Sequence, residues 1–190
     1  MRLAAVASAT ILLAACDDPF GLKASLAVQF DTLSVYAMSG TPVTYPAAYN
    51  AGSGVVLRIA PEAAYDVAFD LQTDGKIRLV PARLVSAARN VGGIPTAAPR
   101  VGMQIVSSAF DALNSAPKGS YKYDSTVVVT TGQAVAIEVA SDACTYSLSQ
   151  QIYAKLVVDS VRAATRQLYF RATRDPNCGF RSFQSGVPKN

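Results

Sequence analysis

The chain has 190 residues, 51% of them hydrophobic and 16% charged, with a formal net charge of +4. That balance belongs to a folded chain rather than a disordered one, and the length suits one domain with a real core. The charge is too mild to imply nucleic acid. The absence of histidine removes the usual general base, the commonest metal ligand and every Ser-His or Cys-His nucleophile.

In chain order, the first stretch carries one basic residue, Arg2, followed by an uncharged apolar run over 3–15. Such a run is too short to span a bilayer and has the form of the h-region of a secretory signal. It closes on Leu13-Ala14-Ala15-Cys16, and the chain then turns abruptly to Asp17-Asp18-Pro19. The four closing residues resemble the lipobox of bacterial lipoproteins, a resemblance that covers the first sixteen residues alone. It implies cleavage before Cys16, a diacylglyceryl group on the Cys16 thiol, and a further acyl chain such as palmitate on the new amino terminus. Two or more such chains anchor firmly, at roughly 0.8 kcal/mol per buried methylene, where a single chain would be marginal.

The expected product is therefore exported and held by its acyl chains at the cell membrane or outer membrane. Asp17 also resembles the residue that keeps lipoproteins of enteric bacteria in the inner membrane. The expected division is a signal over 1–15, Cys16 and a spacer over 16–25, one domain over 26–185, and a loose tail over 186–190. No later run is long and apolar enough for a transmembrane helix. With Cys16 given to the lipid, Cys144 and Cys178 are the cysteines left to pair, and export would place them where disulfides persist. Such a bridge would stabilise the fold by roughly 3–4 kcal/mol. The alternative is two unpaired buried thiols.

Beyond the spacer the chain reads as strands. Residues 32–38 alternate, with Leu33, Val35 and Ala37 on one face. Glycines and prolines punctuate 40–54, and 55–59 makes a short strand. Residues 66–71 and 76–80 flank Thr73-Asp74-Gly75. For Val67, Phe69 and Leu71 to share a core with Ile77 and Leu79, Leu71 must stand opposite Ile77, since one step of slip turns every side chain over. That register leaves a three-residue loop with Gly at the left-handed position, and sets Asp70 opposite Arg78 on an outer, solvated face. There an ion pair is worth a few tenths of a kcal/mol.

Residues 82–124 are less legible. The reading there is a strand over 101–107 and a turn of helix over 109–114, with helix throughout as the alternative. A hairpin is expected from 125–130 and 134–140 around Thr131-Gly132-Gln133. Another is expected from 152–161 and 166–173, with Leu156 and Val158 on one face and Tyr153, Val157 and Val161 on the other. Asp175-Pro176-Asn177-Cys178-Gly179 is a turn by local chemistry, and 180–183 is a candidate last strand. Eight to ten short strands at regular spacing predict an all-β fold, a sandwich of antiparallel strands, with a partly open barrel as alternative and little helix beyond the signal.

The chemical inventory is thin. Two cysteines at this spacing make no zinc site, no calcium or phosphate loop is present, and no cofactor is expected. Ser115-Ala116-Pro117-Lys118 has the Ser-x-x-Lys spacing, but Pro117 breaks the helix that would bring the lysine over the serine. From Lys155 onward seven basic residues meet two acidic ones. Arg162, Arg166, Arg171, Arg174 and Arg181 are thus a candidate basic surface for anionic lipid, wall polymer or an envelope protein, against the plainer reading of a charged, solvated strand edge. Tyr121-Lys122-Tyr123 would offer rings to a sugar or peptide, or simply pack half-buried. The expectation is a non-enzymatic, membrane-anchored binding or scaffolding protein. Two alternatives stand beside it: an envelope glycan hydrolase using an Asp pair, and a module that docks a partner strand on a sheet edge.

Overall fold

Two antiparallel sheets face each other in the computed structural model, which describes residues 21–60, 62–85 and 100–189. The described strands are β1 (Gln29–Tyr36), β2 (Pro46–Asn50), β3 (Val55–Arg58), β4 (Val67–Leu71), β5 (Ile77–Pro81), β6 (Val101–Ile105), β7 (Lys122–Tyr123), β8 (Val127–Val129), β9 (Ala134–Ala140), β10 (Gln151–Arg162) and β11 (Gln167–Asp175). One sheet has the order β1-β11-β10-β9-β6-β7 and the other β3-β2-β4-β5-β8. The fold is a β-sandwich with no closed barrel. Among the described residues the only helical pieces are single 3-10 turns, one of them Phe110–Ala112 inside the expected helical turn. Leu13-Ala14-Ala15-Cys16, the stretch that resembles a lipobox, lies outside the described residues.

The core between the sheets follows from alternation. Phe69, Leu71, Ile77 and Leu79 project from one sheet, and Val35, Ile137, Leu156 and Phe170 from the other. Phe170 packs on Phe69 with ring centroids 4.9 Å apart and meets Tyr49 edge-on at 5.4 Å. Each such fully buried side chain contributes about 1.5–3 kcal/mol. The β4–β5 hairpin has the register required by its apolar face, with Leu71 opposite Ile77 and Asp70 opposite Arg78. Gly75 takes φ +81° in its loop, which an L side chain would resist. The β10–β11 hairpin also forms, turning through Ala163–Thr165 with Arg166 left-handed at φ +51°.

Four expectations are corrected. Residues 125–130 and 134–140 form no hairpin: β8 pairs with β5, while β9 pairs with β10 and β6. Val127, Val129, Val135, Ile137 and Val139 do share one core, but from opposite sheets, so residues 130–133 arch across it. An inward-facing pattern is the same for strands that pair side by side and strands that face each other. Second, the punctuated segment 40–54 contains β2, which starts at Pro46, where a missing N–H is tolerated, and is buried along its middle.

Third, a bulge at Asp159 shifts β10 by one residue, so Val161 packs on the main core instead of joining Tyr153 and Val157. Fourth, 180–183 adds no strand; Ser182 makes a single bridge to Ser115 as the segment crosses the outside of the larger sheet. There Phe183 packs on Tyr153 and Ala116, while Phe110 packs on Val157 and Ala134. The smaller sheet's outer face is covered in turn, with Ala48, Ala68 and Val80 packed against Tyr65, Ala82 and Val85.

Cys144 and Cys178 form a disulfide, with Cα atoms 5.6 Å apart, joining the turns that follow β9 and β11. This marks one end of the sandwich, the disulfide end, where β1 begins beside the close of β11. The β4–β5 loop, the arch over 130–133 and the β10–β11 turn lie at the far end.

Candidate functional site

At the far end, the loop joining β1 to β2 leaves a groove of about 300 Å³ beside the smaller sheet. Among the described residues its lining is mainly apolar, with Met38, Pro42, Tyr45, Ile59 and Val85, and Arg78 supplies the one charge. Its size is at the lower end for a small-ligand site. Val43 on its rim is largely exposed, and Tyr45 leans on Tyr36 with ring centroids 4.5 Å apart.

Arg78 is held by β5 pairing and by Asp70, whose Oδ2 lies 2.7 Å from Arg78 Nη2. Asp70 is buried rather than solvated as the sequence suggested, because the β1–β2 loop folds over it. Oδ1 accepts the amides of Ser39 (3.1 Å) and Leu71 (3.0 Å), and Oδ2 accepts the Ser39 hydroxyl (3.0 Å). Burial alone would raise the Asp70 pKa. The hydrogen bonds from Ser39, Arg78 and Leu71 together outweigh it and hold the carboxyl below its ordinary range. Arg166 completes the wall, donating from Nε to the Ser39 carbonyl at 2.7 Å and from Nη2 to the Leu71 carbonyl at 2.5 Å. Arg78 therefore faces the groove as a fixed cation on a preorganised support.

A second groove, about 370 Å³, opens between the sheet edges at β6, β7 and β8 and is lined by Gln104, Ser120, Lys122 and Thr126 among others. Among the described residues neither lining contains an Asp or Glu. Among the described residues no group of three or more His, Cys, Asp or Glu could hold a metal ion, and no helix is long and apolar enough to cross a membrane.

The five candidate basic residues do not gather into one patch. Arg171 pairs with Asp159 (3.0 Å) and Asp111 (3.0 Å), and Arg174 with Asp31 (3.1 Å) and the Gly52 carbonyl (3.0 Å). Arg181 donates to the Tyr153 hydroxyl at 2.7 Å and to the Pro117 carbonyl. Arg166 is spent on the far-end loops, and Arg162 stacks over Tyr169 at 5.8 Å. Lys155 is buried, its Nζ 2.7 Å from the Phe110 carbonyl and 2.9 Å from that of Leu113.

Tyr121 and Tyr123 are half-buried, not displayed. Tyr123 donates its hydroxyl to the buried Glu138 carboxylate and lies beneath Arg100 at 4.2 Å, and Tyr121 rests 6.4 Å from the Tyr153 ring. Burial and then the Glu138 charge push the Tyr153 hydroxyl up to about 12. A Cβ at Gly102 would fall 2.8 Å from the Tyr123 ring, so glycine is what lets the rings lie flat on β6. Ser115 and Lys118 sit in an exposed loop outside any helix, so the Ser-x-x-Lys spacing has no catalytic geometry.

Sequence reasoning missed the groove because its walls come from β2, the 37–45 loop and the outer face of β5. It also missed Asn177, which ties the incoming chain to the fold. Asn177 Oδ1 accepts the amides of Ser25 (2.9 Å) and Leu26 (3.0 Å), while Nδ2 donates to Asp175 and to the Leu26 carbonyl (both 2.8 Å). The chain thus joins the sandwich at the disulfide end, opposite the apolar groove. Compared with known proteins, the sequence matches no protein family and no curated protein, and the fold matches no solved structure.

Proposed function

We propose that this protein is an exported lipoprotein, anchored through acyl chains on Cys16, that works as a binding or scaffolding β-sandwich in the cell envelope and carries out no bond-making of its own. The observation that carries the reading is polarity. The stretch that resembles a lipobox leads into the disulfide end, held by Asn177, while the apolar groove with its fixed Arg78 lies at the far end. A tether at one end leaves the other free to meet a partner from the envelope space. The mixed lining suits an apolar group carrying one anionic or carbonyl oxygen for Arg78.

Acyl labelling of the native chain and of Cys16→Ser tests the anchor. Label and membrane recovery should both vanish in the variant, and their persistence would overturn it. A photo-crosslinking residue at Val43, on the groove rim, tests the binding role in intact cells. A discrete product at Val43 that is lost on Arg78→Met supports it. The same products from Thr131, an exposed far-end position away from the groove, would refute it.

A further inference from the structure

Resting on the anchored reading above, we infer that the disulfide end is itself a membrane-contact surface, with the side chains of Tyr146 and Leu148 entering the interfacial layer of the bilayer. Of the large apolar and aromatic side chains described, the three most exposed are Tyr146, Val43 and Leu148. Two of these three sit in one short loop, 145–150, pinned by the disulfide at Cys144 and by the Ser147 amide on the Cys144 carbonyl at 2.9 Å. Isolated exposed apolar residues need no explanation, but these have exposed apolar neighbours at the same end. Leu26 is held by its backbone in the Asn177 latch, and Val187 follows Gly186, whose carbonyl accepts the Val28 amide at 2.9 Å.

The loop lies where the chain comes in. A Cβ at Gly179 would stand 2.6 Å from the Ser149 Cβ and 2.8 Å from Leu22 Cδ1, so residues 22, 149 and 179 converge on one spot. From Cys16 to Leu22 the chain can reach about 22 Å at most. The long axis of the sandwich, set by the twelve residues of β10, is about 40 Å. A tether this short keeps the disulfide end within about 22 Å of the anchor point, and insertion of its loop is what would stand the far-end groove away from the surface. Tyrosine and leucine suit that position, since Tyr has an apolar body with a polar tip and favours the headgroup level.

The charges on these stretches do not favour an electrostatic contact instead. Lys23 and Lys189 stand against Asp142, with Asp17 and Asp18 ahead of them, so the acidic groups are no fewer than the basic ones. The contact is therefore insertion of apolar groups rather than attraction to anionic lipid, and it should survive high salt and neutral headgroups.

The chain contains no tryptophan, so a single introduced one is a unique reporter. The full lipidated protein, as Tyr146→Trp, Leu148→Trp or Thr131→Trp, would be reconstituted on phosphatidylcholine vesicles with brominated acyl chains. All three should float with the vesicles. Emission from Leu148→Trp and Tyr146→Trp should shift to the blue and lose most of its intensity to bromine, unchanged in high salt, while Thr131→Trp should stay bright. Failure to float would overturn the anchored reading on which the inference rests. Flotation with unquenched emission at 146 and 148 would leave the anchor standing and overturn the contact surface. So would quenching that needs anionic lipid, or quenching equal at 131.

Discussion

Arg174 Nε lies 3.1 Å from Asp31 Oδ2, and the same carboxylate oxygen accepts the hydroxyl of Tyr49, 3.2 Å away on the opposite sheet. Arg174 also donates to the Gly52 carbonyl in the β2–β3 turn, so one side chain of β11 ties β1 and the facing sheet together. Arg166, at the other end of β11, does the same for the β1–β2 loop and β4. Two of the five residues that looked from composition like a basic surface are instead a pair of clamps between the two sheets.

Arg174→Met should therefore destabilise the fold by about 2–3 kcal/mol, because it leaves a largely buried Asp31 with its charge uncompensated. Urea unfolding would read this as a lower midpoint at unchanged slope. Gly54→Ala is a linked test, since Gly54 has φ +74° and a Cβ there would lie 2.4 Å from Arg174 Nε. Its cost should shrink, though not vanish, when Arg174→Met is already present, because the steric part goes and the backbone strain stays.

The Cys144–Cys178 bridge closes a separation of 34 residues that includes the whole of β10 and β11. Cys144→Ala with Cys178→Ala should cost roughly 3–4 kcal/mol. The double variant should still show a β-rich circular dichroism spectrum at low temperature, since the core between the sheets does not depend on the sulfurs. Equal midpoints for the native and double-variant chains would show that the bridge contributes nothing to stability.

Where one face is plainly apolar and the turn is short, sequence was enough. Val67, Phe69 and Leu71 against Ile77 and Leu79 admit one register, and that register is present. The same logic failed for Val127 and Val129 because alternation reports which way a side chain points, not which strand lies alongside. β2 was hidden because Pro46 opens it and turn glycines flank it, so Pro46–Asn50 shows as a strand only once β3 and β4 lie alongside. The groove was illegible for a related reason: Arg78 and Asp70 read as a solvated pair until the 37–45 loop is laid over them. Lys155 was misplaced among solvated charges, for nothing local shows that residues 110–113 will fold across it.

Asp66 should make the fold less stable as pH rises from about 4 to about 6. Burial raises its carboxyl to about 6 from 3.8, against the lowering effect of the Ala51 and Gly52 amides. The folded state then holds a proton that the unfolded state has released. The associated stability is fully present below the unfolded value and is lost as pH passes the folded one. A shift of that size corresponds to at most about 3 kcal/mol. Asn at this position can still accept the Ala51 amide, which lies 2.6 Å from Asp66 Oδ2. Thermal unfolding of Asp66→Asn at pH 4 and pH 7 should show a smaller fall than the native chain over the same interval, and equal falls would refute the assignment.

Lys155 gives the opposite sign at the alkaline end. Burial is the main cause that lowers its pKa, with Arg171 adding to it and Asp111 opposing. The folded state thus releases the lysine proton before the unfolded state does, and stability gains as pH approaches 10.5 from below. The neutral amine keeps two N–H donors, enough for the carbonyls of Phe110 and Leu113 that it serves. Lys155→Met removes both hydrogen bonds while preserving most of the packing against Phe110 and Phe183. It should cost about 2 kcal/mol at neutral pH, chiefly from two carbonyls left without that donor. The difference from the native chain should widen as pH rises from 8 to 10, because only the native chain has the buried amine to deprotonate. A difference that narrows over this range would mean the charge, not the pair of hydrogen bonds, is what holds residues 110–113 against the sheet.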